Sequence, residues 1–233
     1  MKPLELWTHE LRRAGPATLV GPPALVLLMA VLAIFGARLG SRESNTAFML
    51  LASLEMAIPL MTGMAAASSL GRDHAVELQL TMPVGYRSTL LRRLAVTVGW
   101  TGLCALAGSA LLAVGGWWEL VPGAPRGLAV QLTWLAPALW LAALGLLASA
   151  AFGGTVAATT TVAFVWVAEQ VFAGPLQASL PSRLLYLFAT TRGTVPDDWT
   201  ANRIVLLCTA IPLVAAAWLL LGHAERVLGG EKE

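Results

Sequence analysis

Long apolar runs alternate with short polar ones along this chain. No charged residue occurs in 14–37, 94–118, 127–168 or 204–222. A helix rising 1.5 Å per residue needs about 20 apolar residues to cross a hydrocarbon core of roughly 30 Å. The runs therefore predict membrane-crossing helices near 17–36, 46–70, 94–115, 127–150, 155–173 and 204–222. The fourth and fifth come from one stretch, 127–168, which as a single helix would be about 63 Å long, twice a bilayer, so it must fold back. Phe152-Gly153-Gly154 is its turn signal.

Three segments lie between or outside these runs. Residues 1–15 set Leu4, Leu6, Trp7 and Leu11 among charges, and Pro16 follows. That pattern predicts an interfacial amphipathic helix, against the plainer alternative of a frayed terminus. Residues 71–90 are charged and broken by Pro83 and Gly85; Ser88 would cap a helix leading into the third span. Residues 174–202 contain Pro175, Pro181 and Pro196, yet Leu180, Leu184, Leu185, Leu187 and Phe188 are too apolar for a free loop. Short re-entrant helices packed on the bundle are expected there, because non-helical backbone at membrane depth must be covered by protein. The whole, 1–233, reads as one all-α integral membrane domain.

Composition agrees. Of 233 residues, 57% are hydrophobic and 12% charged, about half the charge of a soluble domain, and the mean hydropathy is +0.72. The net charge of +2 does not indicate nucleic acid, since the arginines flank apolar runs and form no basic stripe. Cys104 and Cys208 lie inside apolar runs, where they read as small packing residues with neither a disulfide nor a metal spacing. The run 14–37 exceeds the ~7–15 apolar residues of a signal peptide, so it is expected to be a retained span. With the N-terminus inside, nine of the fifteen Lys and Arg residues fall on inner segments, Arg87, Arg92 and Arg93 in one loop. This bias and the even span count place both termini in the cytoplasm of a multi-pass cell-membrane protein.

The segment between the second and third spans reads GRDHAVELQLTMPVGYRSTLLRRL. On physical grounds it is either a solvated loop anchored by arginines or a short helix held between two spans, able to pass a push from a cytoplasmic partner into the membrane. It resembles the cytoplasmic loop of permease subunits of type-two ATP-binding-cassette exporters. There a small-residue-rich second span precedes an E-L-x-L-T-x-P element, matched here by Glu77-Leu78-Gln79-Leu80-Thr81-Met82-Pro83, with Arg87 and Arg92-Arg93 following. The order of interfacial helix, six spans, tight turn and apolar outer segment is similar too. His74-Ala75-Val76 departs from the usual run, leaving the start of the helix open. The resemblance implies a coupling helix seated on a separate ATPase subunit, with Arg72, Asp73, Glu77, Leu78, Pro83 and Arg87 as its contacts. It also implies a second permease copy, ATP bound only by the partner, and outward movement of a hydrophobic or amphipathic substrate. A permease for haem or another cofactor, or a membrane scaffold without transport, fits the same sequence.

The chain carries no ATPase chemistry of its own. Its lysines, Lys2 and Lys232, follow no glycine-rich phosphate loop, and His9, His74 and His223 all lie outside the spans. An ionisable residue within a span is a functional candidate, which singles out Glu55. Pro59, four residues on, deprives the Glu55 carbonyl of its helical donor. The pair suits a polar cavity or subunit interface on a substrate path; the alternative is a protonated glutamate bonded to a neighbouring helix. Glu169, near the outer end of the fifth span, is either a further path residue or a headgroup-level glutamate. Trp117, Trp118 and Trp199 read as interface anchors, and Gly36 and Gly40 have the spacing of a helix-contact motif.

Overall fold

The structure, a computed structural model, describes residues 16–40, 42–69, 86–121, 123, 125–191 and 197–222. The predicted interfacial helix and the coupling candidates Arg72, Asp73, Glu77, Leu78 and Pro83 lie outside the described residues. Among those described, every regular element is a helix. We number the α-helices α1 (Pro16–Arg38), α2 (Glu43–Ala67), α3 (Tyr86–Val114), α4 (Leu132–Phe152), α5 (Thr155–Val171), α6 (Ala173–Ala178), α7 (Leu180–Leu185) and α8 (Trp199–Leu220). α3 starts two residues before the predicted cap at Ser88.

Among the described residues five helices are long and apolar enough to cross a membrane by length and composition: α1, α2, α3, α4 with the 3-10 turn before it, and α8. This arrangement fits a multi-pass membrane protein. α5 stops at 17 residues. Its end has a local cause. Pro175 has no N–H for the carbonyl of Val171 and crowds it, and the Leu176 N–H bonds instead to the Phe172 carbonyl, opening α6. The predicted reversal at Phe152-Gly153-Gly154 is present. Gly153 adopts φ +66°, and its N–H closes on the Ser149 carbonyl.

α4 is the axis of the bundle. In its most apolar window 56% of residues are buried, against 17% for α1, and it packs on α2, α5 and α8. The closest approach is backbone to backbone. A Cβ on Gly145 would fall 2.3 Å from the Gly63 carbonyl oxygen and 3.0 Å from the Ala67 nitrogen. Small residues permit such contacts where no hydrophobic force separates protein from lipid. Leu141, Ala148, Ala158 and Val162 complete this core, while Met29, Leu54, Ala105 and Leu112 join α1, α2 and α3. Gly40, the second glycine of the Gly36 and Gly40 spacing, makes no such contact. Gly40 lies beyond α1 at φ +70°, and a Cβ added there would meet nothing within 4 Å.

Two irregularities shape the helices. Pro23, inside α1, cannot donate to the Leu19 carbonyl, and Trp100 Nε1 of α3 donates to it instead at 2.9 Å. Trp100→Phe is expected to cost about 0.5–1.5 kcal/mol, the range for such bonds, read as a lowered unfolding midpoint in detergent. In α2, Ser53–Ala57 form a π turn, with the Ile58 N–H on the Ser53 carbonyl. Pro59 follows at once. The carbonyl that finds a side-chain donor there is that of Met56, bonded by Trp166 Nε1 at 3.0 Å. This is one residue on from the carbonyl of Glu55 expected from sequence.

Candidate functional site

The chain between α5 and α8 builds a buried polar centre. α6 and α7 fold it back, and residues 186–191 then run as a turn in which every residue is buried. Backbone N–H and C=O groups hidden in this way must find partners. Asn202, in the first turns of α8, donates from Nδ2 to the carbonyls of Arg183 and Tyr186, at 2.8 and 2.9 Å. Arg203 Nη1 donates to the Leu187 carbonyl at 2.9 Å. Glu169 Oε2 accepts the Leu187 N–H at 3.2 Å. Glu55 accepts the N–H groups of Thr190 and Thr191, at 2.9 and 2.7 Å.

An ion pair joins the two sides. Arg203 Nη2 donates to Glu55 Oε1, and both side chains are fully buried. The same Nη2 reaches Thr190 Oγ1 at 3.1 Å, and that hydroxyl also accepts from Trp199 Nε1 at 2.9 Å. The guanidinium lies 5.2 Å from the centre of the Trp199 ring, a cation–π distance. Further out, Arg183 Nε pairs with Asp198 Oδ2 at 2.7 Å. Burying two charges costs several kcal/mol per ion unless hydrogen bonds satisfy them. Here the carboxylate takes two backbone donors and a guanidinium, so the pair is a clamp that fastens the turn and α8 to the π turn of α2.

Glu55 and Glu169, singled out from sequence for a substrate path, thus converge on one turn. Pro59 is buried one turn below Glu55 in α2. Both Glu55 oxygens are taken up by partners within the chain, so Glu55 holds the fold and offers nothing to a passage in this conformation. Arg87 is the second residue of α3. Sequence reasoning missed Arg203 and Asn202, and it placed Trp199 at a membrane interface, whereas Trp199 is buried against Arg203. The available signal was charge pairing, because a lone ionisable residue inside a span calls for an opposite partner.

A second feature lies toward the other end of α2. A cleft of about 410 Å³ opens between α1, α2, α3 and α5, with Met61, Met64, Ser68, Thr101, Thr155 and Thr159 among its walls. Among the described residues its lining holds no charged side chain. The hydroxyls of Ser68, Thr101 and Thr159 donate back to the carbonyls of Ala65, Thr97 and Thr155, so toward the cleft they offer lone pairs. Such a wall suits a neutral, largely apolar molecule carrying a hydrogen-bond donor. Among the described residues no group of three His, Cys, Asp or Glu is placed to hold a metal ion. Compared with protein-family models, with curated proteins and with solved structures, the chain matches none of them.

Proposed function

We propose that this chain is the membrane permease subunit of an ATP-driven exporter of the type-two ATP-binding-cassette kind. In this reading a pair of permeases moves a hydrophobic or amphipathic substrate outward by alternating access, and a separate ATPase subunit binds and hydrolyses the ATP. α5 is the sixth crossing, since its 17 residues span about 25 Å and stand at the lower limit for a bilayer. Both termini then lie in the cytoplasm, with residues 71–90 as the coupling element.

The observation that carries the reading is the cleft between α1, α2, α3 and α5. It reaches Ser68, where α2 gives way to the segment with the E-L-x-L-T-x-P element. A ligand-sized hollow with no charged side chain among its described walls thus adjoins, along the sequence, the stretch that resembles a coupling loop. α2 enters that stretch and α3 leaves it, and both supply walls of the hollow. A push on 71–90 therefore acts on two walls at once.

Glu77→Arg, in a complex purified with its ATPase, is expected to abolish ATP-dependent transport while membrane insertion stays intact. Transport assays in proteoliposomes check this. Normal transport by the variant, or an ATPase that never copurifies with the wild-type chain, overturns the reading in favour of a scaffold.

A further inference from the structure

The connection between α3 and α4 forms a second, larger hollow that the exporter reading does not use. Gly116, at φ +69°, ends α3. A 3-10 turn, Trp117–Leu120, follows, and Trp118 Nε1 donates to the Pro125 carbonyl at 2.8 Å, stapling the loop. A second 3-10 turn, Gly127–Gln131, leads into α4. Between this loop and α3 lies a cleft of about 1300 Å³, with Glu119, Arg126 and Gln131 in its lining.

Its polar groups are held in place and only partly used. Gln131 Oε1 accepts from Trp134 Nε1 at 2.8 Å and from Ser109 Oγ at 3.2 Å. An indole N–H only donates, so the amide orientation is set and its NH2 remains as a donor. Arg126 and Glu119 are both exposed. Among the described residues neither side chain makes an ion pair or hydrogen bond, although each lines the same cleft. An uncommitted guanidinium and amide suit a phosphate. The carboxylate beside them disfavours a purely anionic headgroup and suits an ammonium.

The floor of the cleft is apolar and continues down α3. Leu106, Ala110 and Ala113 line it. Leu103, Leu106 and Val114 are 62%, 45% and 89% exposed. Positions 103, 106, 110 and 114 share one helical face. A charged hollow at the end of crossing helices, opening onto an exposed apolar stripe, has the two-part chemistry of a phospholipid at headgroup depth.

We infer that this cleft binds a zwitterionic phospholipid bearing a primary ammonium. Its phosphate sits on Arg126 and Gln131, its ammonium on Glu119, and its acyl chain along the Leu103–Val114 face of α3. The inference needs α3 and α4 to cross a membrane but not the exporter function, so either can fail without the other.

Native mass spectrometry of the full chain in detergent tests it. The probes are phosphatidylethanolamine, phosphatidylglycerol of the same acyl chains, and free phosphoethanolamine. Phosphatidylethanolamine is expected to be retained about tenfold more than either of the others. Arg126→Gln should lower that retention about tenfold, the scale of one charge-assisted contact. Glu119→Gln, at an exposed position, should abolish the preference over phosphatidylglycerol without loss of fold, and it keeps the test decisive if the arginine variant misfolds. Equal retention of the two lipids by the wild-type chain, free phosphoethanolamine binding as well as the lipid, or wild-type retention by a folded Arg126→Gln protein each overturns the inference.

Discussion

Arg203→Ala is expected to destabilise the protein by ~3–5 kcal/mol, the cost of leaving a buried carboxylate uncompensated. Glu55 would keep the N–H groups of Thr190 and Thr191 but lose its only counter-charge among the described residues. The Leu187 carbonyl and the Thr190 hydroxyl would each lose a donor. The turn 186–191 and the start of α8 should loosen together. Thermal unfolding in detergent measures the loss, and a midpoint indistinguishable from wild type would mean that the pair contributes nothing to holding the turn. The double variant Glu55→Gln with Arg203→Leu removes both charges while leaving an amide oxygen to accept a Thr190 or Thr191 N–H, and it should recover part of the stability, because no buried charge is left without its partner. Recovery would assign the penalty to the orphaned charge and not to lost packing.

Gly145→Ala is the second large effect. The added carbon would meet backbone atoms on α2, the Gly63 carbonyl at 2.3 Å and the Ala67 nitrogen at 3.0 Å, and a helix backbone does not give way as a flexible side chain does. α2 and α4 must move apart or the bundle must strain, at a cost of about 1–3 kcal/mol or more. Gly99→Ala is the control, since nothing lies within 4 Å of its new carbon and alanine is the better helix former. The expected result is a lowered unfolding midpoint for Gly145→Ala and an unchanged or raised one for Gly99→Ala.

How far the sequence foretold this molecule depended on the range of each cause. Crossing helices were legible because length and apolarity are properties of one continuous run, and the α4–α5 reversal because Gly153 carries its own turn signal. The end of α5 was not, because hydropathy does not fall there; the cause is a proline four residues beyond Val171. Glu55 stood out as a charge in an apolar run. Its partner did not, because the contact spans 148 positions of sequence, and Arg203 sits at the edge of an apolar run, where arginines ordinarily anchor to headgroups. Trp199 was misread for the same reason. The backbone contact at Gly63 and Gly145 was equally hidden, since a glycine in a helix says nothing by itself about which helix lies against it.

The wide turn at Ser53–Ala57 has a geometric consequence for α2. An extra residue in one turn offsets everything beyond it by about 100° relative to an unbroken α-helix. The two portions of this rod are therefore freed from a shared phase. Glu43–Ala52 turns its inward side chiefly to α1 and the Trp117–Leu120 turn, while Ile58–Ala67 turns its own chiefly to α4 and α5, with α3 touching both. One continuous rod can thus serve two sets of neighbours that a straight stripe of side chains would not reach together, and the carboxylate sits at the joint where the rotation is taken up.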